Sequence, residues 1–100
     1  MKNFRILVAE DNRAFREVIK ESLRTSFPTG KIDEAVDGGE ALREVDTFAP
    51  DFIFMGIALP GENGLELTKE IKADHPYIII SIITNYDMPE YREAAKESPI

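Results

Sequence analysis

The chain has 100 residues, 43 % of them apolar, enough for one small domain with one core. Twelve Lys and Arg against nineteen Asp and Glu give a formal charge of −7. That charge argues against binding nucleic acid or an anionic membrane surface, since both require basic patches. There is no cysteine and only one histidine, His75, so a disulfide framework, a thiolate nucleophile and a multi-histidine metal site are all excluded.

No apolar run approaches the roughly 20 residues of a membrane span. The opening Met1-Lys2-Asn3-Phe4-Arg5 leads straight into a strand pattern, not into a signal-peptide apolar region. The expectation is a soluble, acidic, cytoplasmic domain.

Strand and helix patterns alternate along the chain. Phe4–Ala9 is a short apolar run that stops at Glu10-Asp11, and Asp11 or Asn12 can cap a helix. Phe15, Val18, Ile19 and Leu23 then recur at helical spacing and are expected to face the core. Phe27-Pro28-Thr29-Gly30 stops that helix. Lys31–Val36 reads as a polar-rich strand. Gly38-Gly39 opens a second helix with Ala41, Leu42 and Val45 on one face, and Phe48-Ala49-Pro50 ends it.

Phe52–Met55 is a third strand. The turn-rich loop Gly56–Gly64 follows, with Gly64 expected at positive φ ahead of a third helix, Leu65–Ala73. His75-Pro76 closes that helix, and a solvated position is expected for His75. Tyr77–Ile83 is a fourth strand, and Pro89–Lys96 a short fourth helix carrying Tyr91, Ala94 and Ala95.

Such alternation with short connections implies an α/β fold, a doubly wound parallel sheet with right-handed crossovers. The most polar strand, Lys31–Val36, belongs at an edge. The most apolar, Tyr77–Ile83, has the character of a strand buried on both faces. Yet it is the last strand in the chain, which puts it at the other edge. A bare isoleucine edge invites pairing with another chain. The expectation is therefore either a fifth strand lost after Ile100 or a second molecule, in a homodimer, covering the fourth strand.

In a doubly wound sheet, ligands bind beyond the carboxyl ends of the strands. The first strand ends at Glu10-Asp11, the third at Gly56 and the fourth at Thr84. An adjacent carboxylate pair suits a hard divalent cation such as Mg2+. Asp51 starts the third strand, at the wrong end for this site. Asp87, beyond Thr84, lacks anything to orient it as an acceptor.

The segments Ile6–Asn12, Pro50–Gly64 and Ile82-Ile83-Thr84 resemble the receiver domain of bacterial two-component response regulators, in order and spacing, across essentially the whole chain. The resemblance implies a flavodoxin-like receiver fold with strand order 2-1-3-4-5, here 2-1-3-4 with the fifth strand missing. The expected organisation is one receiver-like domain over residues 1–100, incomplete at its C-terminal side. It further implies that Glu10 and Asp11 match the acidic pair that binds Mg2+. Ala58 matches the backbone carbonyl that completes the metal site, and Thr84 matches the hydroxyl that contacts the phosphoryl group. A sensor histidine kinase is the implied partner.

Two features stand out. The phosphoacceptor position is Gly56, which has no side chain to form an acyl phosphate. The resemblance also implies a fifth strand with a lysine and an aromatic residue, both expected beyond Ile100, and Lys96 lies before that strand. With two carboxylates instead of three, the formal charge of the site is −2 instead of −3. The lost attraction for a divalent ion is on the order of a few kcal/mol at an effective dielectric of ~20.

The expectation is a non-phosphorylatable, non-enzymatic receiver acting through protein–protein contact, with Mg2+ weak or absent. The alternative is a flavodoxin-like cofactor binder on the same fold. It would need a phosphate loop after the first strand, where Glu10 and Asp11 instead repel phosphate.

Overall fold

The structure is a computed structural model that describes residues 4–83. Its elements in order are β1 (Arg5–Ala9), α1 (Arg13–Ser26), β2 (Lys31–Ala35), α2 (Gly38–Phe48), β3 (Phe52–Gly56), β4 (Ala58–Leu59), β5 (Glu62–Asn63), α3 (Gly64–Asp74) and β6 (Ile79–Ile83). The four long strands form one parallel sheet in the order β2-β1-β3-β6. This is the expected doubly wound arrangement, with β1 and β3 central. The polar strand β2 is at one edge, and β6 has β3 as its one partner among the described residues. Thr84 and the expected helix Pro89–Lys96 lie outside the described residues.

Alternation along the central strands distributes the core between two faces. Leu7, Ala9, Ile53 and Met55 point to one side, where they meet Ala41 and Val45 of α2 and Leu67 and Ile71 of α3. Ile6 and Val8 point to the other, with Leu23 of α1 and the half-buried Ile19, Ile32, Phe52 and Phe54. The first cluster is the larger, and Leu7, Ile53, Met55 and Leu67 are fully excluded from solvent. Burying each of these side chains contributes about 1.5–3 kcal/mol.

The helix starts follow from local chemistry. Asn12, not Asp11, caps α1, its Oδ1 accepting the Phe15 N–H at 2.9 Å. Asp37 caps α2 by accepting from Glu40 N–H at 2.8 Å, and the Glu40 carboxylate returns to the Val36 N–H at 2.9 Å. Asn63 caps α3 through Leu65 N–H. Asp51 sits at the amino end of the sheet, where its carboxylate accepts from Arg5 N–H at 3.0 Å. That position is opposite the carboxyl ends of the strands, as expected.

Three expectations are corrected. Val18 is 64 % exposed, and Phe15 and Ile19 are only half-buried. Arg16 and Lys20 present the face of α1 that pairs with the Glu34 carboxylate on β2, and Val18, two residues from each, lies on the opposite side of the helix. The fourth long strand begins at Ile79, not Tyr77; a turn closed by Ile78 N–H on the His75 carbonyl comes first, and Tyr77 is exposed.

Finally, positive φ falls on Gly61 (φ 78°), not Gly64. The expected loop contains the two-strand antiparallel hairpin β4–β5, with Ala58 opposite Asn63 and Leu59 opposite Glu62, and Gly61 makes its turn. Gly64 is required for another reason. A Cβ there would overlap the Gly56 carbonyl oxygen.

Candidate functional site

The parallel register brings the ends of β1 and β3 together. Ala9 pairs with Met55 on one side and Ala35 on the other, and Gly56 pairs with Ile83. Glu10 extends the ladder one residue past β1, its N–H donating to the Ala35 carbonyl at 2.9 Å. Ile57 N–H donates to the Ile83 carbonyl at 3.0 Å. Glu10 and Asp11 therefore follow the carboxyl end of β1, while Gly56 ends the adjacent strand β3 and Ala58 comes two residues later. Thr84 is the next residue after Ile83 in the chain and lies outside the described residues.

The two acids are not equivalent. Asp11 is exposed, whereas Glu10 is only 5 % exposed. Glu10 Oε2 accepts the Asn12 N–H at 2.8 Å, and its backbone carbonyl accepts from Arg16 Nη1 at 2.9 Å. Burial pushes the Glu10 carboxyl above the ordinary glutamate value. The Asn12 N–H and Arg16 oppose that rise, and the neighbouring Asp11 reinforces it.

Gly56 is buried at the end of β3. An ideal Cβ on it would stand 2.7 Å from Glu10 Oε1 and 3.1 Å from the Ala9 carbonyl oxygen. The carboxylate of Glu10 thus lies beside the point from which a side chain at residue 56 would start. Ala58, on β4, is exposed. Among the described residues, no group of three or more His, Asp or Glu side chains converges in a way that would hold a metal ion.

One part of the surroundings was not singled out from the sequence. Glu34 on β2 receives Arg16 Nε at 2.7 Å and Lys20 Nζ at 2.8 Å, and Lys20 also reaches Glu17 at 3.1 Å. These contacts hold the Glu34 carboxyl below its ordinary range, chiefly through Lys20 and then Arg16, and they raise Lys20 through Glu34. The readable signal was an acid in the polar edge strand and two cations at i and i+4 on the preceding helix. Arg16 links this cluster to the carbonyl of Glu10. Nothing in this arrangement favours the flavodoxin-like alternative. Among the described residues, no helix is long and apolar enough to cross a membrane.

Known proteins agree with this architecture. The chain is 36 % identical over 83 residues to the transcriptional regulatory protein YdfI of Bacillus subtilis, covering 83 % of this chain and 38 % of that protein. It is 32 % identical over 94 residues to the response regulator MprA of Mycolicibacterium vanbaalenii, covering 94 % of this chain and 40 % of that protein. The chain thus spans about two fifths of the length of these relatives. Among solved structures, the REC domain of AraT, a response regulator from Geobacillus stearothermophilus, superposes with a TM-score of 0.77 at 31 % identity, covering 96 % of this chain and 75 % of that one. The response regulator receiver domain family matches residues 6–99, and the chain belongs to that family.

Proposed function

We propose that this receiver domain does not accept a phosphoryl group at the end of β3 and that it acts by protein–protein contact within a two-component system. Receiver domains generally are regulatory, generally bind Mg2+ at an acidic site, and interact with histidine kinases and other signalling proteins. One observation carries the proposal. The residue that ends β3 beside the Glu10–Asp11 pair is glycine, and a carboxylate oxygen of Glu10 lies 2.7 Å from where its Cβ would be. A glycine offers neither the nucleophilic oxygen nor the third carboxylate.

The residues present do not fit Mg2+ well. Glu10 has one oxygen committed to the Asn12 N–H and the other turned toward residue 56. That leaves Asp11 as the exposed acid of the pair. We therefore read Glu10, Asp11 and the Ala58 carbonyl as the remains of a metal site, with Mg2+ weak or absent. Thr84 is read as the hydroxyl of the same pocket, without a phosphoryl group to contact. The whole chain is read as one domain of receiver type.

Incubation with acetyl phosphate and Mg2+, followed by intact mass measurement, tests the proposal. No phosphoryl adduct is expected, and millimolar Mg2+ is expected to leave the melting midpoint unchanged. An adduct at any carboxylate of the pocket would overturn it. A signalling role without phosphorylation also requires that the chain bind a histidine kinase domain with equal affinity whether or not a phosphoryl donor is present.

A further inference from the structure

We infer that Glu10 acts in this chain as a plug, its carboxylate taking the volume that an acceptor side chain would occupy at the end of β3. The inference rests on the reading of Gly56 as the vacated acceptor position and goes beyond it by assigning what fills the vacancy. The first support is mutual exclusion. A Cβ on Gly56 would stand 2.7 Å from Glu10 Oε1, closer than carbon and oxygen tolerate, and 3.5 Å from Glu10 Cδ. A Cβ at residue 56 therefore requires the Glu10 carboxylate, the far end of a flexible side chain, to turn out of its present position.

The second support is how Glu10 is held. It is 5 % exposed although it lies beside another acid, Asp11, that is exposed. A carboxylate free to choose would take the solvated position, because burial of a charge is costly unless it is hydrogen-bonded. Glu10 is retained by the Asn12 N–H at 2.8 Å, and its own backbone is fixed by the Arg16 guanidinium on its carbonyl at 2.9 Å and by its N–H on Ala35 at 2.9 Å. Asn12 in turn caps α1. The plug is thus built into the β1–α1 connection, and it joins the start of α1 to the end of β3. On this basis Glu10 is a structural acid, while Asp11 alone keeps the exposure a metal ligand needs.

Melting midpoints of the full chain and three variants test the assignment: Glu10→Ala, Gly56→Ala and the two combined. Glu10→Ala is expected to lower the midpoint by about 4–8 °C, the shift for one lost net hydrogen bond in a domain of this size. If Glu10 were instead an exposed acid repelled by Asp11, its removal would leave the midpoint unchanged or raise it, and either result overturns the inference. Gly56→Ala is expected to lower the midpoint when Glu10 is present, and to lower it by less in the Glu10→Ala background, where the Ala9 carbonyl at 3.1 Å is the close contact that stays. Equal losses in both backgrounds overturn the inference.

If Gly56→Ala alone does not fold, the combined variant decides. A recovered cooperative transition supports the plug, and a failure to recover one overturns it. These outcomes are separate from phosphoryl labelling. Absence of coupling leaves the silent acceptor position standing, whereas an adduct on the natural chain strikes at that position itself.

Discussion

Arg16 and Glu34 meet at 2.7 Å, Nε to Oε1, across the gap between α1 and the edge strand β2. The same guanidinium reaches the Glu10 carbonyl through Nη1 at 2.9 Å. One side chain therefore ties helix, edge strand and acidic pocket together. The Arg16 side chain is 11 % exposed and the Glu34 side chain 36 %, so this is a partly buried pair. Such a pair is worth more than an exposed one, yet less than full burial would suggest. Arg16→Met is expected to cost about 1–3 kcal/mol, since it leaves the Glu10 carbonyl without its partner and Glu34 with Lys20 alone. Urea unfolding measures this. A cost no larger than that of Arg24→Met, whose partner Glu21 is exposed, would count against a joint role.

The charge on Glu34 gives the pair a pH signature. Its carboxyl titrates below its ordinary range in the folded state, with Lys20 and then Arg16 as the causes. A depressed folded pKa adds stability that is complete above the unfolded carboxylate value and is lost as pH falls through the lower folded value. Glu34→Gln is therefore expected to cost about 1 kcal/mol at neutral pH, discounted for the partial exposure of Glu34. The gap between natural chain and variant should stay constant from neutral pH down to the ordinary glutamate range and close below it. A gap that widens with acid would contradict the assigned contacts.

Gly64→Ala is expected to be severely destabilising, by roughly 3 kcal/mol or more, because its Cβ overlaps the Gly56 carbonyl oxygen and the Ile57 backbone. Neither is the end of a flexible side chain, so the relief must come from shifting α3 away from β3. Gly61→Ala meets no atom within 4 Å and loses only its turn conformation at φ 78°, for about 1 kcal/mol. Thermal melts of the two variants should separate clearly. Equal losses would mean that the close approach of α3 to the end of β3 is absent in solution.

Ala49 ends α2 in the left-handed region, at φ 53°, ahead of Pro50. An L-residue with a Cβ pays a steric cost there that glycine avoids. Ala49→Gly is expected to raise stability by a few tenths to about 1 kcal/mol, the greater freedom of glycine in the unfolded chain offsetting part of the gain. A drop in the urea midpoint would show that Ala49 does not hold this conformation in solution.

Much of the architecture was legible in the residues themselves. Alternating apolar runs and helical stripes mark β1, α1, β2, α2, β3, α3 and β6, and the polarity of Lys31–Ala35 marks an edge. Asn12 was one of the two caps the sequence offered for α1, whereas the caps Asp37 and Asn63 were not singled out, although their contacts also reach no further than three residues. The absence of a carboxylate at residue 56 is likewise a fact of sequence, as is the adjacency of Glu10 and Asp11.

What sequence alone could not settle are relations between residues far apart in the chain. The face of α1 that carries Arg16 and Lys20 pairs with Glu34, 18 residues from Arg16, and Val18, which the apolar stripe placed inward, is exposed. Gly64 looked like a turn former, but its need for hydrogen at Cα comes from the backbone of Gly56 packing against the start of α3. The fate of Glu10 depends on a glycine 46 positions later. Periodicity and capping report forces between near neighbours, while the choice of which acid is buried and which is exposed is made only when the strand ends are brought side by side.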